Sequence, residues 1–264
     1  MKQDLHMHTV FCDGSAAPEE MVCAAIEKGL ERVGISGHSY TFFDESYCMS
    51  LEGFEKYKKE LARLRAVYAD RIEVLCGVEQ DMFSTADTSG LDYIIGSVHY
   101  LKCGEEYLPV DEDPQTLEGI CARHFGGDWY ALCEHYFAQV SEVVARTGAD
   151  IIGHFDLVSK FNEKCRFFDE NHPRYISAWQ SAAAALIKTG KPFEINTGAV
   201  SRAWRSVPYP APPMIDYISA RGGSFILSSD SHSTENICFE FDKWSSLIKQ
   251  KTAERRCAIG RNRF

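Results

Sequence analysis

The sequence predicts an α/β fold whose mainly parallel sheet rolls into a closed or nearly closed barrel, and three observations support this. Short apolar runs recur along the 264 residues, at 3–7, 32–36, 72–78, 93–98, 149–153, 192–196 and 224–229. Most are continuous rather than alternating, as strands covered on both faces are. Stretches of helix-forming composition separate them, and strand–helix alternation of this kind builds a parallel sheet. Roughly seven such units fall one short of the usual eight of a barrel.

Each element has its own warrant. The first strand, from Gln3 to Met7, runs into His8 and then into Asp13-Gly14, a turn-forming pair. Pro18 to Gly29 has proline near its start and glycine at its end, the asymmetry of a helix. The second strand is Arg32-Val33-Gly34-Ile35-Ser36, and Leu51 to Tyr68 is rich in the good helix formers Lys, Glu, Leu and Arg. Two strands follow, Ile72 to Val78 and Tyr93 to Val98. The stretch from Tyr100 to Asp128 differs, carrying Gly, Pro and acidic residues. It is expected to be a lid or cap over a site, or a long crossover. Helices at Trp129–Thr147, Tyr175–Thr189 and Pro213–Arg221 then alternate with strands at 149–153, 192–196 and 224–229. With no Gly-rich linker, internal repeat or low-complexity segment, a single domain over 1–264 is expected. Residues 249–264, with Arg255, Arg256, Arg261 and Arg263, are expected to form a surface tail.

Hydrophobic content of 45% and charged content of 25% are ordinary for a globular chain. The net charge of −10 argues against a general nucleic-acid binder, whose footprint is basic. It leaves an anionic substrate open, because divalent ions reverse the sign inside a site. No apolar run approaches the ~20 residues of a membrane span, and Met-Lys-Gln-Asp-Leu-His lacks the apolar centre of a signal peptide. A cytoplasmic protein with no membrane partner is expected. The ten cysteines form no C-x-x-C pair, so free thiols are expected.

The polar residues fall on this frame in a pattern. His6 and His8, at i and i+2, share one face of the first strand. His38 follows the second strand, Glu79 the third, His99 the fourth and His154 the fifth, while Asp230 and His232 follow the seventh. A single histidine at a strand end is more often a hydrogen-bonded core residue than a ligand. Here, however, six of the nine histidines stand at strand ends, and strand C-termini of a barrel converge on one face. With Asp13 they make nine ligand-type residues, enough for about three divalent ions, and imidazole with carboxylate suits Zn, Mn or Fe. His124, His135 and His172 lie in helical or loop context and read as structural.

Taken together, His6-Met7-His8-Thr9 with Asp13-Gly14, the strand ending in His38, Gly77-Val78-Glu79, Gly96-Ser97-Val98-His99, Gly153-His154-Phe155-Asp156 and Asp230-Ser231-His232 resemble the polymerase and histidinol phosphatase (PHP) superfamily, in its order. With Glu194-Ile195-Asn196-Thr197, the histidinol-phosphatase branch is resembled most. The resemblance implies a distorted (β/α)7 barrel with a metal site at the strand C-terminal face. It implies one ion on His6, His8, Glu79 and Asp230, a second sharing Glu79 and adding His99 and His154, and a third on Asp13, His38 and His232. One departure stands out. Related sequences often carry Asp just before the second-strand histidine, where this chain has Gly37, so lost outer support is expected rather than a lost ion.

The implied activity is metal-dependent hydrolysis of a small phosphomonoester, L-histidinol phosphate, in histidine biosynthesis. Divalent ions supply hydroxide at neutral pH and clamp the oxygens of an in-line displacement. Asp13, Glu79, His232 and Arg202 are the expected catalytic residues, with Asp13 or bound water as proton donor. Arg202, Arg205 and Lys160 are expected to bind phosphate, arginine by its fork geometry. Asp156, Asp111 or Glu112 are candidates to receive the substrate's cation, and Phe42-Phe43 and Trp204 to line a pocket or a contact between copies. The alternatives are another branch of the superfamily, acting on protein phosphotyrosine or on nucleotides, an amidohydrolase-like metal hydrolase, and a non-catalytic metal-stabilised module.

Overall fold

The computed structural model describes residues 2–246, so the expected tail at 249–264 lies outside the described residues. The chain begins with β1 (Gln3–Asp4), α1 (Pro18–Glu27), β2 (Arg32–Ile35), α2 (Leu51–Val67), β3 (Glu73–Asp81) and β4 (Tyr93–Ser97). Next come β5 (Tyr100–Cys103), β6 (Glu106–Pro109), α3 (Pro114–Phe125), α4 (Trp129–Val140), α5 (Val143–Thr147) and β7 (Ile151–Ile152). The remainder is α6 (Asn162–Cys165), α7 (Pro173–Ile187), β8 (Phe193–Asn196), α8 (Gly198–Ser201), α9 (Pro212–Ala220) and β9 (Phe225–Ser228).

Seven strands pair in parallel in the order β1-β2-β3-β4-β7-β8-β9. The two ends of that sheet meet beyond β1 and β9. Met7 and Ser231 form a parallel bridge, and the His8 amide donates to the Ser231 carbonyl at 2.8 Å. This is the distorted (β/α)7 barrel, with its strands covered by helices.

Three helices start on side-chain caps. The Ser50 hydroxyl accepts the Gly53 amide and caps α2, Asp113 accepts Thr116 and caps α3, and Asp128 accepts Tyr130 and Ala131 and caps α4. Helix α2 is tied to the sheet from its buried face. The Tyr57 phenol lies 2.6 and 2.7 Å from the carbonyls of Ile35 and Gly77, sharing its proton between β2 and β3. One apolar core packs α1 and α2 on the first three strands, and a larger one packs α3, α4, α7 and α9 on the rest.

Three elements differ from the expectation. The first strand stops at Asp4 because residues 6–8 leave the ladder and bond to both neighbours, Ser36 on one side and Ser231 on the other. The predicted helix at 129–147 is two helices. The Ser141 hydroxyl bonds back to the Ala138 carbonyl at 2.6 Å and competes with the helical ladder where they part. Residues 100–128 hold an antiparallel hairpin, β5 with β6, followed by α3. No helix among the described residues is long and apolar enough to cross a membrane.

Candidate metal centre

Every ligand-type residue predicted from sequence sits at or just past the C-terminal end of a barrel strand, except Asp13, which hangs in the loop after β1. At their centre is Glu79, 1% exposed. Its Oε1 lies 2.7 Å from His154 Nε2 and 3.2 Å from His99 Nε2. Its Oε2 lies 3.0 Å from His38 Nδ1, 3.2 Å from His6 Nε2 and 3.5 Å from His8 Nε2. One buried carboxylate therefore faces five imidazoles. Asp230 Oδ1 is 3.3 Å from His8 Nε2 and 3.7 Å from both His6 Nε2 and His232 Nδ1. Asp13, about a third exposed, stands 3.1 Å from His232 Nε2, 3.4 Å from His8 Nδ1 and 3.6 Å from His38 Nε2.

These groups fit divalent ions. His6 Nε2 and His8 Nε2 are fully buried, have no hydrogen-bond partner, and aim at carboxylate oxygens. Two acceptors set face to face need a proton or a cation between them. Protons alone leave the cluster divided. Burial disfavours the charged form of His6, but Glu194, Glu79 and Asp230 outweigh it and hold its proton well above the usual range. Burial and the neighbouring His232 and His38 push His8 the other way. For His38, Glu79 and Asp13 overcome burial and raise it to about 9. Burial opposes ionisation of Glu79 and Asp230 as well, yet surrounding imidazoles hold Glu79, and Arg202 with His6 holds Asp230, well below the carboxylate range. Three sets converge closely enough to grip an ion: His8, Asp13, His38 and His232; His6, His8 and Glu79; and His38, Glu79 and His99.

A cavity of about 280 Å³ opens beside this cluster. Asp13, His38 and His99 line one end, and Asp44, Tyr47, Tyr100, Asp111, Glu112 and Lys160 the other. The hairpin β5–β6 and the stretch leading into α3 supply Tyr100, Pro109, Asp111 and Glu112, so residues 100–112 of the segment wall the cavity. The Tyr100 phenol donates to Asp44 at 2.6 Å and ties that wall to the loop after β2.

The predicted cationic residues part company. Arg202 stands at the cluster, donating to Asp230 Oδ2 at 3.1 Å and lying 3.0 Å from His232 Nδ1. Lys160 lines the cavity, bonded to the Asp111 carbonyl at 2.6 Å and its carboxylate at 3.2 Å. Arg205 corrects the expectation. It is 6% exposed and locked to Asp156 at 3.0 Å and Ser159 at 2.9 Å, a buried ion pair away from the cavity lining. Asp156, fully buried in that pair, does not line the cavity either. Phe43 stacks on Tyr107 and Trp204 packs on Phe161, so neither lines the cavity. His172 caps α7 and His135 meets the Lys102 carbonyl, in keeping with structural roles.

Sequence reasoning missed the supports around the cluster. Glu194 Oε1 accepts His6 Nδ1–H at 2.7 Å, Asp81 lies 3.3 Å from His99 Nδ1, and Cys12 Sγ lies 3.6 Å from His8 Nδ1. Partners of this kind set ligand tautomer and ring angle. Asp81 was legible only as a polar residue within an apolar strand, and Glu194 only as part of a resembling motif with no role attached. At Gly37, a side chain would meet Cys12 Sγ at 2.9 Å, so the thiol occupies the space the glycine leaves. The described cysteines are free thiols.

A family model of the PHP domain matches residues 4–198. A protein of Deinococcus radiodurans named a probable histidinol-phosphatase is 30% identical over 253 residues, covering 90% of this chain and 89% of its own. The Bacillus subtilis histidinol-phosphatase is 24% identical over 264 residues, covering 91% and 97%. Among solved structures, that of the histidinol phosphate phosphatase of Lactococcus lactis, complexed with Zn, L-histidinol and phosphate, matches with a TM-score of 0.69. Its identity is 21%, and it covers 95% of this chain and 93% of that one.

Proposed function

The chain belongs to the PHP domain family, and from that we propose that it is a metal-dependent phosphomonoesterase that hydrolyses L-histidinol phosphate to L-histidinol and phosphate. The observation that carries this reading is one constellation: five imidazoles around buried Glu79, opening on a cavity whose far end is acidic. The names of near-full-length relatives, and the ligands of the Lactococcus structure, support the substrate.

His6, His8, Glu79 and Asp230 would hold one ion, Glu79, His99 and His154 a second, and Asp13, His38 and His232 a third; Zn is the first choice, with Mn and Fe as alternatives. When bound, such ions lower the pKa of water towards ~7 and offset the charge of a phosphoryl group. The chain's own residues do the rest. Arg202, beside Asp230 and His232, offers N–H groups to phosphate oxygens at the cluster rim. Lys160 is the one lysine or arginine lining the cavity among the described residues and marks where phosphate meets the organic part of the substrate. Asp111 and Glu112 receive the substrate's ammonium or imidazolium, and Tyr47 and Tyr100 flank it. For Asp13, the facing imidazoles outweigh burial and hold its carboxyl far below the usual range. It is ionised at neutral pH, which suits a ligand better than a proton donor.

The deciding experiment measures phosphate release from L-histidinol phosphate, before and after chelation, with metal content recorded on the same sample. Turnover abolished by chelator and restored by Zn or Mn is expected. A loaded protein that prefers a phosphosugar or phosphotyrosine would overturn the substrate, and a protein that takes up no metal would overturn the centre.

A further inference from the structure

One strand of the barrel has no ligand-type residue in the centre. β8 ends in Glu194-Ile195-Asn196, with Glu194 and Asn196 on the same side and both fully buried. Burying a carboxylate is costly unless its lone pairs are satisfied. Glu194 has no lysine or arginine in ion-pair reach among the described residues; its ion-pair partner is His6. Its oxygens are instead divided between two neighbouring strands. Oε1 accepts from His6 Nδ1 at 2.7 Å, and Oε2 accepts from the His154 backbone amide at 3.1 Å. Asn196 completes the arrangement. Its Oδ1 accepts the Gly198 amide at 2.9 Å, which fixes the side-chain amide so that Nδ2 turns to Glu194 Oε2 at 3.3 Å and Asp230 Oδ2 at 3.4 Å. The Asn196 backbone is pinned in turn by a two-way exchange with Tyr209, at 2.7 and 3.0 Å.

We propose that β8 is the brace of the metal centre: Glu194, steadied by Asn196, fixes His6 and His154 at once, so that two of the ions are gained and lost as a pair. This rests on the metal-dependent reading above. The physical reason lies in the tautomer. With Nδ1–H committed to Glu194, the His6 lone pair is left on Nε2, the atom that faces Glu79 at 3.2 Å and Asp230 at 3.7 Å. His154, whose amide hangs on the other oxygen of the same carboxylate, faces Glu79 from the opposite side. A carboxamide at position 194 has one accepting atom where two are needed. It must set a donor against either His6 Nδ1–H or the His154 amide. Glu194 is therefore a positioning residue, acting through His6 and His154.

The test uses the full chain and zinc alone. Zinc content per chain is titrated against a competing chelator for the wild type, Glu194→Gln and Asn196→Ala, and the His6 ring tautomer is read by ¹⁵N NMR in the metal-free proteins. In Glu194→Gln, two zinc ions are expected to weaken together by ~10–100-fold while the ion on Asp13, His38 and His232 is held as before. The Nδ1–H form of His6 is expected to be lost. Asn196→Ala, the milder change, is expected to weaken the same two ions by a few-fold, and it carries the test should Glu194→Gln not fold. A Glu194→Gln protein that titrates like the wild type, that loses a single ion, or that weakens all of them equally overturns the proposal. No substrate enters the measurement. A wild type that binds zinc but ignores L-histidinol phosphate sinks the substrate and leaves the brace standing, whereas a wild type that binds no zinc sinks both.

Discussion

Arg202 touches two residues of the centre at once, Asp230 through its carboxylate and backbone carbonyl and His232 through Nδ1. Gly198 makes room for this, since a Cβ there would lie 2.7 Å from Asp230 Oδ2 and 2.8 Å from the Arg202 guanidinium. Replacing Arg202 with Ala removes both an orienting group for the centre and a cation at its rim. kcat/KM for a phosphomonoester is expected to fall by about 10–100-fold, with Arg202→Lys recovering little because the two-pronged contact is lost. Unchanged kinetics in Arg202→Ala would sink its phosphate role. Asp156 and Arg205 behave differently, since their pairing is buried and structural. Asp156→Ala strands a buried guanidinium and is expected to cost about 3–5 kcal/mol in urea unfolding. The double replacement by apolar residues of similar size should recover most of that, and zinc content should be unchanged in both.

At the scale of elements, β2, β3 and β4 approach each other through glycine. The Tyr93 side chain of β4 lies against Gly34 and Gly77, and its phenol donates to the Leu5 carbonyl at 2.5 Å. A Cβ at either glycine would overlap the Tyr93 ring or hydroxyl. Gly77→Ala is therefore expected to destabilise the protein by about 1–3 kcal/mol, read as a lower urea midpoint with the same slope. The wall formed by β5, β6 and the start of α3 was expected as a lid or a long crossover. It is held by contacts to the loop after β2, Tyr107 stacked on Phe43 and Tyr100 bonded to Asp44. Sequence periodicity could not show this, because four-residue hairpin strands are too short for a pattern and their partners in the loop after β2 lie more than fifty residues away.

For the whole molecule, the centre joins the two ends of the sheet, with His6 and His8 just past the first strand and Asp230 and His232 beyond the last. Anything that binds there stabilises barrel closure. An ion present at 100 times its Kd contributes about 2.7 kcal/mol, so chelation is expected to lower Tm by several degrees. pH should act on the two forms differently. Without ions, His38 is protonated up to about 9 in the folded protein, held by Glu79 and Asp13 against burial, compared with 6.5 ordinarily. That raised value contributes stability which is fully present below 6.5 and lost as pH rises through about 9. The loaded protein should instead gain Tm as pH rises from 5 to 7, because ligation requires neutral imidazoles. Equal pH trends with and without chelator would contradict an ion centre at these residues.

Local facts in the sequence predict the barrel class, most strand positions and the candidate ligands that the fold brings together. Buried parallel strands read as apolar runs, and a ligand at a strand's C-terminal end lands on one face whatever the distant packing does. Tertiary structure decided what depends on partners far along the chain. Arg205 and Lys160 look alike in sequence as basic residues near strand ends, yet Asp156 claims the first as a buried pair while the second lines the cavity. Glu194 belongs to a resembling motif but has no role until His6, 188 residues away, is found 2.7 Å from it. Charge pairing and outer support of this kind are set by the closing of the sheet, which brings residues 6 and 230 together and which no local pattern encodes.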